Sequence, residues 1–221
     1  MGVIAKSGES VICFDLSTPI PSIPLLQLSS VCNYLVISHG DGDHFSPFVV
    51  KNVLKNNGKV IFQDGEDILQ ETIEALVSDE EQEGIFNLNN ETETVIDGIS
   101  FYSLQTAHRG DEEKVNAWTS VKVNGFNIVH TGDGTLGDHT KWSSFGDIDV
   151  LLANSIIQSI DLKDANARYI VPLHLHELGH NRSFLEENCF TSYLNTLDTY
   201  EGDISSKIYL LLWGESIDIR K

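Results

Sequence analysis

The feature that most constrains this chain is the segment Ser38-His39-Gly40-Asp41-Gly42-Asp43-His44, which ends an apolar run beginning at Tyr34. Four side chains able to bind a metal, His39, Asp41, Asp43 and His44, fall within six positions, directly after what reads as a buried strand. In extended backbone, residues two apart point the same way, so His39 and Asp41 are placed to share one ion. Gly40 and Gly42 are expected to turn the backbone tightly and free Asp43 and His44 for a second ion. The segment is not an EF-hand loop, whose glycine and distal Glu stand at other offsets.

The same arrangement, an apolar strand delivering a polar residue at its end, recurs along the chain. Val11 to Phe14 ends in Asp15, Ile99 to Leu104 is followed by His108, Phe126 to Thr131 by Asp133, and Tyr169 to Pro172 by His174. A lone His or Asp at a strand end is more often a satisfied structural residue than a ligand. Three of them in order after the first cluster make a shared metal-binding edge the better reading.

Between these points Pro47 to Asn56 is predicted to be a helix, with Ser46 as N-cap, Pro47 in the first position and Gly58 just past the end. A strand is expected at Lys59 to Phe62 and a helix from about Glu66 to Val77. Asp97-Gly98 and Asn124-Gly125 each separate two apolar stretches and signal hairpins, Glu93–Ile96 with Ile99–Leu104 and Ala117–Val123 with Phe126–Thr131. Alternation resumes with a strand at Asp149–Leu152, a helix near Ile156–Asp164, the strand Tyr169–Pro172, a helix near Phe184–Leu197 and a strand Lys207–Trp213. Helices towards both ends with hairpins between them imply mixed sheets stacked face to face and covered by helices, an α/β fold. There is no repeat, linker or low-complexity tract, so residues 1–221 read as a single domain.

Composition narrows the function. With 41% hydrophobic residues the chain can bury a core. Its formal charge of −19, with only 14 Lys and Arg, argues against long nucleic acids as partners and leaves a small-molecule substrate. No apolar stretch is long enough to span a bilayer, and Met1 to Gly8 lacks the features of a signal peptide, so no membrane association and a cytoplasmic location are expected. Cys13, Cys32 and Cys189 form no CxxC pair and are expected to be reduced, mostly buried thiols.

The ordered set His39-x-Asp41-x-Asp43-His44, His108, Thr131-Gly132-Asp133 and Pro172-x-His174 resembles the metallo-β-lactamase superfamily, over about Val11 to His174, and Asp15 matches the Asp that usually ends an early strand there. The resemblance implies a four-layer αββα sandwich with two divalent ions at one edge between the sheets. One ion would take His39, Asp41 and His108, and the other Asp43, His44 and His174, with Asp133 bridging. It further implies hydrolysis of a small ester, lactone or phosphodiester (possibly a nucleotide) by a metal-bridging hydroxide, with Asp43 and Asp133 in catalytic roles. Asp41 departs from the pattern, since the family usually has a second His there. A carboxylate is a harder donor, which favours Mn²⁺ or Fe over Zn²⁺ at that position while leaving Zn²⁺ open. Flavodiiron oxygen reductases of the superfamily also carry a carboxylate there, so a non-hydrolytic diiron redox or ligand-sensing protein of the same fold is the alternative.

His176-Glu177-Leu178-Gly179-His180 matches H-E-x-x-H, which on a helix would make a zinc protease. Pro172 just upstream, Gly179 inside and the absence of any His after His180 count against it. Glu177 and His180 read instead as members of a loop supporting the ligands or touching substrate. His130, His139 and His176 receive no role.

Overall fold

A computed structural model of the chain describes residues 2–17, 22–63, 67–108, 111–135, 139–154, 164–173, 209 and 215–220. Among them a five-stranded sheet holds β1 (Val3–Ser7), β2 (Ser10–Phe14), β3 (Tyr34–Val36), β4 (Lys59–Gln63) and β5 (Ile85–Leu88) in that order. β1 is antiparallel to β2, and the remaining neighbours are parallel. Parallel neighbours need crossovers, and α1 (Ser22–Val31), α2 (Pro47–Lys55) and α3 (Asp67–Leu76) lie in them.

The second sheet comprises β6 (Thr92–Ile96), β7 (Ile99–His108), β8 (Asp111–Val123), β9 (Phe126–His130), β10 (Gly134–Thr135), β11 (Val150–Asn154) and β12 (Tyr169–Leu173). Its order is β10-β7-β8-β9-β11-β12, with β6 also paired to β7. Hairpins join β6–β7–β8–β9, whereas β9, β11 and β12 are parallel. Both turn dipeptides behave as their chemistry demands. Asp97 and Gly98 take φ of 51° and 81°, and Asn124 and Gly125 49° and 80°, the doubly left-handed geometry that matches strand twist.

Side-chain alternation explains the layers. Ile12, Phe14, Tyr34, Val36 and Ile61 of the first sheet meet Phe101, Val121, Val123, Leu152 and Val171 of the second in one buried cluster between the sheets. The intervening Cys13, Leu35, Val60 and Phe62 face outward, against Leu25, Val49, Val53, Leu69 and Ile73 of the helices. On the far side of the second sheet, Leu104, Trp118, Val129 and Leu151 are covered by Trp142 and Phe145 of a 3-10 segment, His139–Phe145. This is the α/β sandwich of two mixed sheets that the pattern of strands and hairpins implies.

Several local expectations change. Ser46 stands at the N-cap position of α2 in extended conformation, but its side chain makes no capping bond. At the other end Asn57, not Gly58, adopts the left-handed conformation (φ 60°). Gly58 is needed for space, because a Cβ there would lie 2.6 Å from both Cys32 O and Val53 Cγ1. Cys13 and Cys32 are not separate thiols but a disulfide with Cα atoms 5.9 Å apart. Their 19-residue separation gave no sign of this, because the crossover through α1 is what returns Cys32 to β2. The strands β1 and β5 and the helix α1 were not anticipated. The helices expected near Ile156–Asp164 and Phe184–Leu197 fall essentially outside the described residues. Of the strand expected at Lys207–Trp213 only Tyr209 is described, and its N–H donates to Ile170 O at 2.8 Å beside β12. No helix among the described residues is long and apolar enough to cross a membrane.

Candidate metal centre

Asp15, His39, His108 and Asp133 follow or end β2, β3, β7 and β9, and all emerge at the edge where the C-terminal ends of these strands meet. The two sheets are tied together here, since Ala117 N–H of β8 donates to Ser38 O after β3 at 2.8 Å. A register shift between Ala107 and His108 re-aims the end of β7, and the short strand β10 pairs Gly134 with His108, bringing the next residue, Asp133, alongside.

The Gly-Asp segment is shaped differently from the expectation. Neither Gly40 nor Gly42 is left-handed, and a Cβ on Gly42 would meet nothing within 4 Å. The turn comes instead from His44 and Phe45, whose N–H groups both donate to Asp41 O, at 2.9 and 2.8 Å. The Ser17 hydroxyl, donating to Asp43 O, holds the same segment from the β2 side.

Three imidazoles converge. The ring centroids of His39 and His44 are 4.1 Å apart, and those of His39 and His108 4.8 Å. Asp41 Oδ2 lies 3.7 Å from His39 Nε2 and 3.4 Å from His108 Nε2. Asp133 reaches both sides, with Oδ1 3.4 Å from His44 Nε2 and Oδ2 3.8 Å from His108 Nε2. Asp43 Oδ2 is 3.3 Å from His44 Nε2. Two sets of three donors, His39–Asp41–His108 and His39–His44–Asp133, have ligand atoms all within 4.8 Å of one another, and Asp43 completes neither.

Behind the donors lies a polar layer. Asp15, held at φ 45°, accepts hydrogen bonds from Ser38 N (2.8 Å) and Ser38 Oγ (2.6 Å) and contacts His44 Nδ1 at 2.6 Å. Ser38 Oγ also lies 2.9 Å from His39 Nδ1. With their Nδ1 atoms engaged, His39 and His44 turn Nε2 towards the carboxylates of Asp41, Asp43 and Asp133, as ligating histidines do. His130 is a buried neighbour of this layer, its Nε2 3.4 Å from Asp15 Oδ2 and its ring stacked on Phe14.

Burial would raise the Asp15 carboxyl, but His130, His44 and His39 hold it well below the usual carboxylate range. Burial alone would lower His44, yet Asp15, Asp133 and Asp43 outweigh it and push it up to about 12. Burial, with the neighbouring His44 charge, drives His39 down to about 4. The hydrogen bond from His44 keeps Asp43 well below its ordinary value.

The donor set fits divalent ions on a structural ground. His39 Nε2 and His108 Nε2 are buried yet find no hydrogen-bond partner among the described residues, a costly state for polar atoms unless a cation takes them. Carboxylates and imidazoles in this mixture suit Zn²⁺, Mn²⁺ or Fe.

Of the residues predicted from sequence, His39, Asp41, Asp43, His44, His108 and Asp133 are brought together. His174, Glu177 and His180, with the H-E-x-x-H segment, lie outside the described residues. β12 nevertheless ends at Leu173 on the same edge as β9, to which it is parallel through β11. Sequence patterning did not single out Asn116. This fully buried side chain donates from Nδ2 to Thr106 Oγ1 (3.1 Å) and Thr131 O (3.0 Å), and its Oδ1 accepts from Asp133 N (2.9 Å). Its one sequence signal is an amide inside the apolar strand Val115–Val121.

No protein-family model and no curated protein matches the chain. Solved structures do. Igni18, a metallo hydrolase from the archaeon Ignicoccus hospitalis, is 14% identical, covering 98% of this chain and 93% of its own, with a TM-score of 0.66. The metallo-β-lactamase fold protein YhfI from Bacillus subtilis is 15% identical over 96% of this chain and 88% of its own, at 0.63. CmlA, a diiron β-hydroxylase from Streptomyces venezuelae, is 9% identical over 79% of this chain and 43% of its own, at 0.54. Identities this low speak for architecture, and on that ground, with two mixed sheets carrying His and Asp donors at one edge, the chain has the metallo-β-lactamase fold.

Proposed function

We propose that the chain is a hydrolase dependent on two divalent ions, acting on a small ester, lactone or phosphodiester. His39, Asp41 and His108 would hold one ion and Asp43, His44 and His174 the other, with Asp133 between them. The observation that carries this reading is the pair of buried Nε2 atoms of His39 and His108, which find no hydrogen-bond partner among the described residues and lie 3.4–3.8 Å from the carboxylates of Asp41 and Asp133. Igni18 and YhfI, named as a metallo hydrolase and a metallo-β-lactamase fold protein, support it by their shared fold.

Bound divalent ions supply a water of lowered pKa and a Lewis acid for the substrate oxygen. The protein's own part is to aim and to move protons. Asp15 and Ser38 fix the rings of His44 and His39 so that Nε2 faces the carboxylates of Asp41, Asp43 and Asp133. Asp43 and Asp133, with side chains 36% and 20% exposed, touch the buried imidazole of His44 while keeping partial access to solvent. A carboxylate so placed can take the proton of an attacking water. The surplus of acidic residues keeps long polyanions away, so a small substrate fits best.

A second reading, a non-hydrolytic diiron protein, draws on the carboxylate of Asp41 in the first donor set and on the shared fold of CmlA. Metal analysis of the purified protein with a panel of lactone, phosphodiester and thioester substrates separates the two. Zinc or manganese with turnover supports hydrolysis, whereas iron with an oxygen-dependent spectrum and no turnover supports the second reading. Asp43→Ala, at a half-exposed position, is expected to lose metal and nearly all turnover while keeping the fold. Full activity with normal metal content in that variant refutes the binuclear assignment.

A further inference from the structure

An ester, a lactone and a phosphodiester differ in charge, and the donor cluster carries a cation at its rim. The register of β7 against β8 jumps from Ala107↔Val115 to His108↔Asp111, so one step along β7 matches four along β8. An irregularity of this kind bends a strand and re-aims its side chains, and Lys114 lies in the bulged stretch. Its Nζ is 2.9 Å from Asp41 Oδ1 and 3.3 Å from Oδ2. The same carboxylate lies 3.4 Å from His108 Nε2 and 3.7 Å from His39 Nε2. The ammonium thus stands one carboxylate away from the imidazoles of the first donor set, on a side chain that is 47% exposed.

We propose that Lys114 binds a non-bridging oxygen of an anionic phosphodiester, and that such a diester is the substrate class of this centre. The proposal rests on the metal-dependent hydrolase reading above and narrows it. A cation one carboxylate from the ligating imidazoles reaches the reacting group of a substrate, not a distant tail. The carbonyl of an ester or lactone is neutral in the ground state and has a single oxygen to offer. A phosphodiester spreads a full negative charge over two non-bridging oxygens, one for the ions and one for the ammonium. Lysine attracts phosphate oxygens as a point charge. Asp41 strengthens the case, because a carboxylate in place of the imidazole that the resemblance leads one to expect lowers the charge of the loaded centre. Lys114 restores that charge, so the centre keeps its pull on an anion. Hydrolysis adds water across one P–O bond of the diester, giving a phosphate monoester and an alcohol.

The test is calorimetric binding of inorganic phosphate and, separately, acetate to protein saturated with Mn²⁺ or Zn²⁺, with the metal content of each variant measured first. A second readout is the ratio of kcat/KM for bis(p-nitrophenyl) phosphate over p-nitrophenyl acetate. Wild type is expected to bind phosphate, and Lys114→Met to weaken that binding roughly tenfold, as fits a charge-assisted contact at a half-exposed side chain. The turnover ratio should fall by a similar factor. Lys114→Arg, which keeps the charge, should hold both within about threefold of wild type. Unaltered phosphate affinity or an unaltered ratio in metal-replete Lys114→Met, or no phosphate binding by wild type, overturns the proposal and leaves the hydrolase reading standing. A loss for acetate without one for phosphate assigns the ammonium to a carboxylate ligand and overturns the phosphodiester choice. Protein that takes up neither metal overturns both.

Discussion

Replacing Asn116 by Ala tests whether the Asp133 turn is held from beneath. The amide is fully buried and makes three hydrogen bonds, two as donor to Thr106 Oγ1 and Thr131 O and one as acceptor from Asp133 N. The truncation leaves Thr131 O, itself buried, and Asp133 N without these partners. At roughly 1 kcal/mol net for each bond, the metal-free protein should lose about 3 kcal/mol. For a chain of this size that moves a urea midpoint down by about 1 M. A second consequence is separable from the first. With its backbone untethered, Asp133 no longer presents Oδ1 and Oδ2 to His44 and His108 in register, and ion affinity should fall about 10- to 100-fold, the usual range for residues that orient ligands. Urea unfolding of the metal-free variant reads the first effect, and Mn²⁺ or Zn²⁺ titration under folding conditions reads the second. Unfolding within about 0.5 kcal/mol of wild type, together with unchanged ion affinity, would refute the role given to Asn116.

Ion binding should strengthen with pH. In the metal-free protein His44 is pushed up to about 12, so an ion reaching Nε2 must displace a proton, and affinity should rise by up to about tenfold per pH unit between pH 6 and 9; a flat profile contradicts this. The sign for stability is opposite. The His44 contribution to the metal-free fold is complete below its unfolded value of 6.5 and declines as pH climbs from there towards 12, which unfolding at pH 6 and 9 would reveal. Gly132→Ala places a Cβ at φ 50° within 2.4–2.5 Å of Asn116 Oδ1, Ser38 Cβ and Ser38 Oγ, and should cost about 3 kcal/mol by urea unfolding. The double variant Cys13→Ala/Cys32→Ala should lose about 3 kcal/mol through the 19-residue closure, and thiol titration of the denatured, unreduced wild type should find about one free thiol per chain.

Much of this protein was legible in one dimension because its strands obey short-range rules. The apolar runs Val11–Phe14 and Phe126–Thr131, and the Asp97-Gly98 and Asn124-Gly125 turns, depend only on near neighbours, and each lies where its pattern put it. The convergence of His39, Asp41, Asp43, His44, His108 and Asp133 was readable for the same reason, because each sits at or just past the end of an apolar strand. Less legible were elements with no distinctive local chemistry, such as β1, β5 and α1.

What only the tertiary structure decided is pairing across long separations. Nothing near Cys13 announces Cys32, nothing near Asp41 announces Lys114, 73 residues on, and nothing near Asn116 announces the Asp133 amide. Residue type and spacing along the chain encode backbone preference and side-chain direction, which are local. Which carboxylate meets an ammonium, which an imidazole and which a buried amide depends on how two sheets settle against each other, and that is determined by the packing of the whole core.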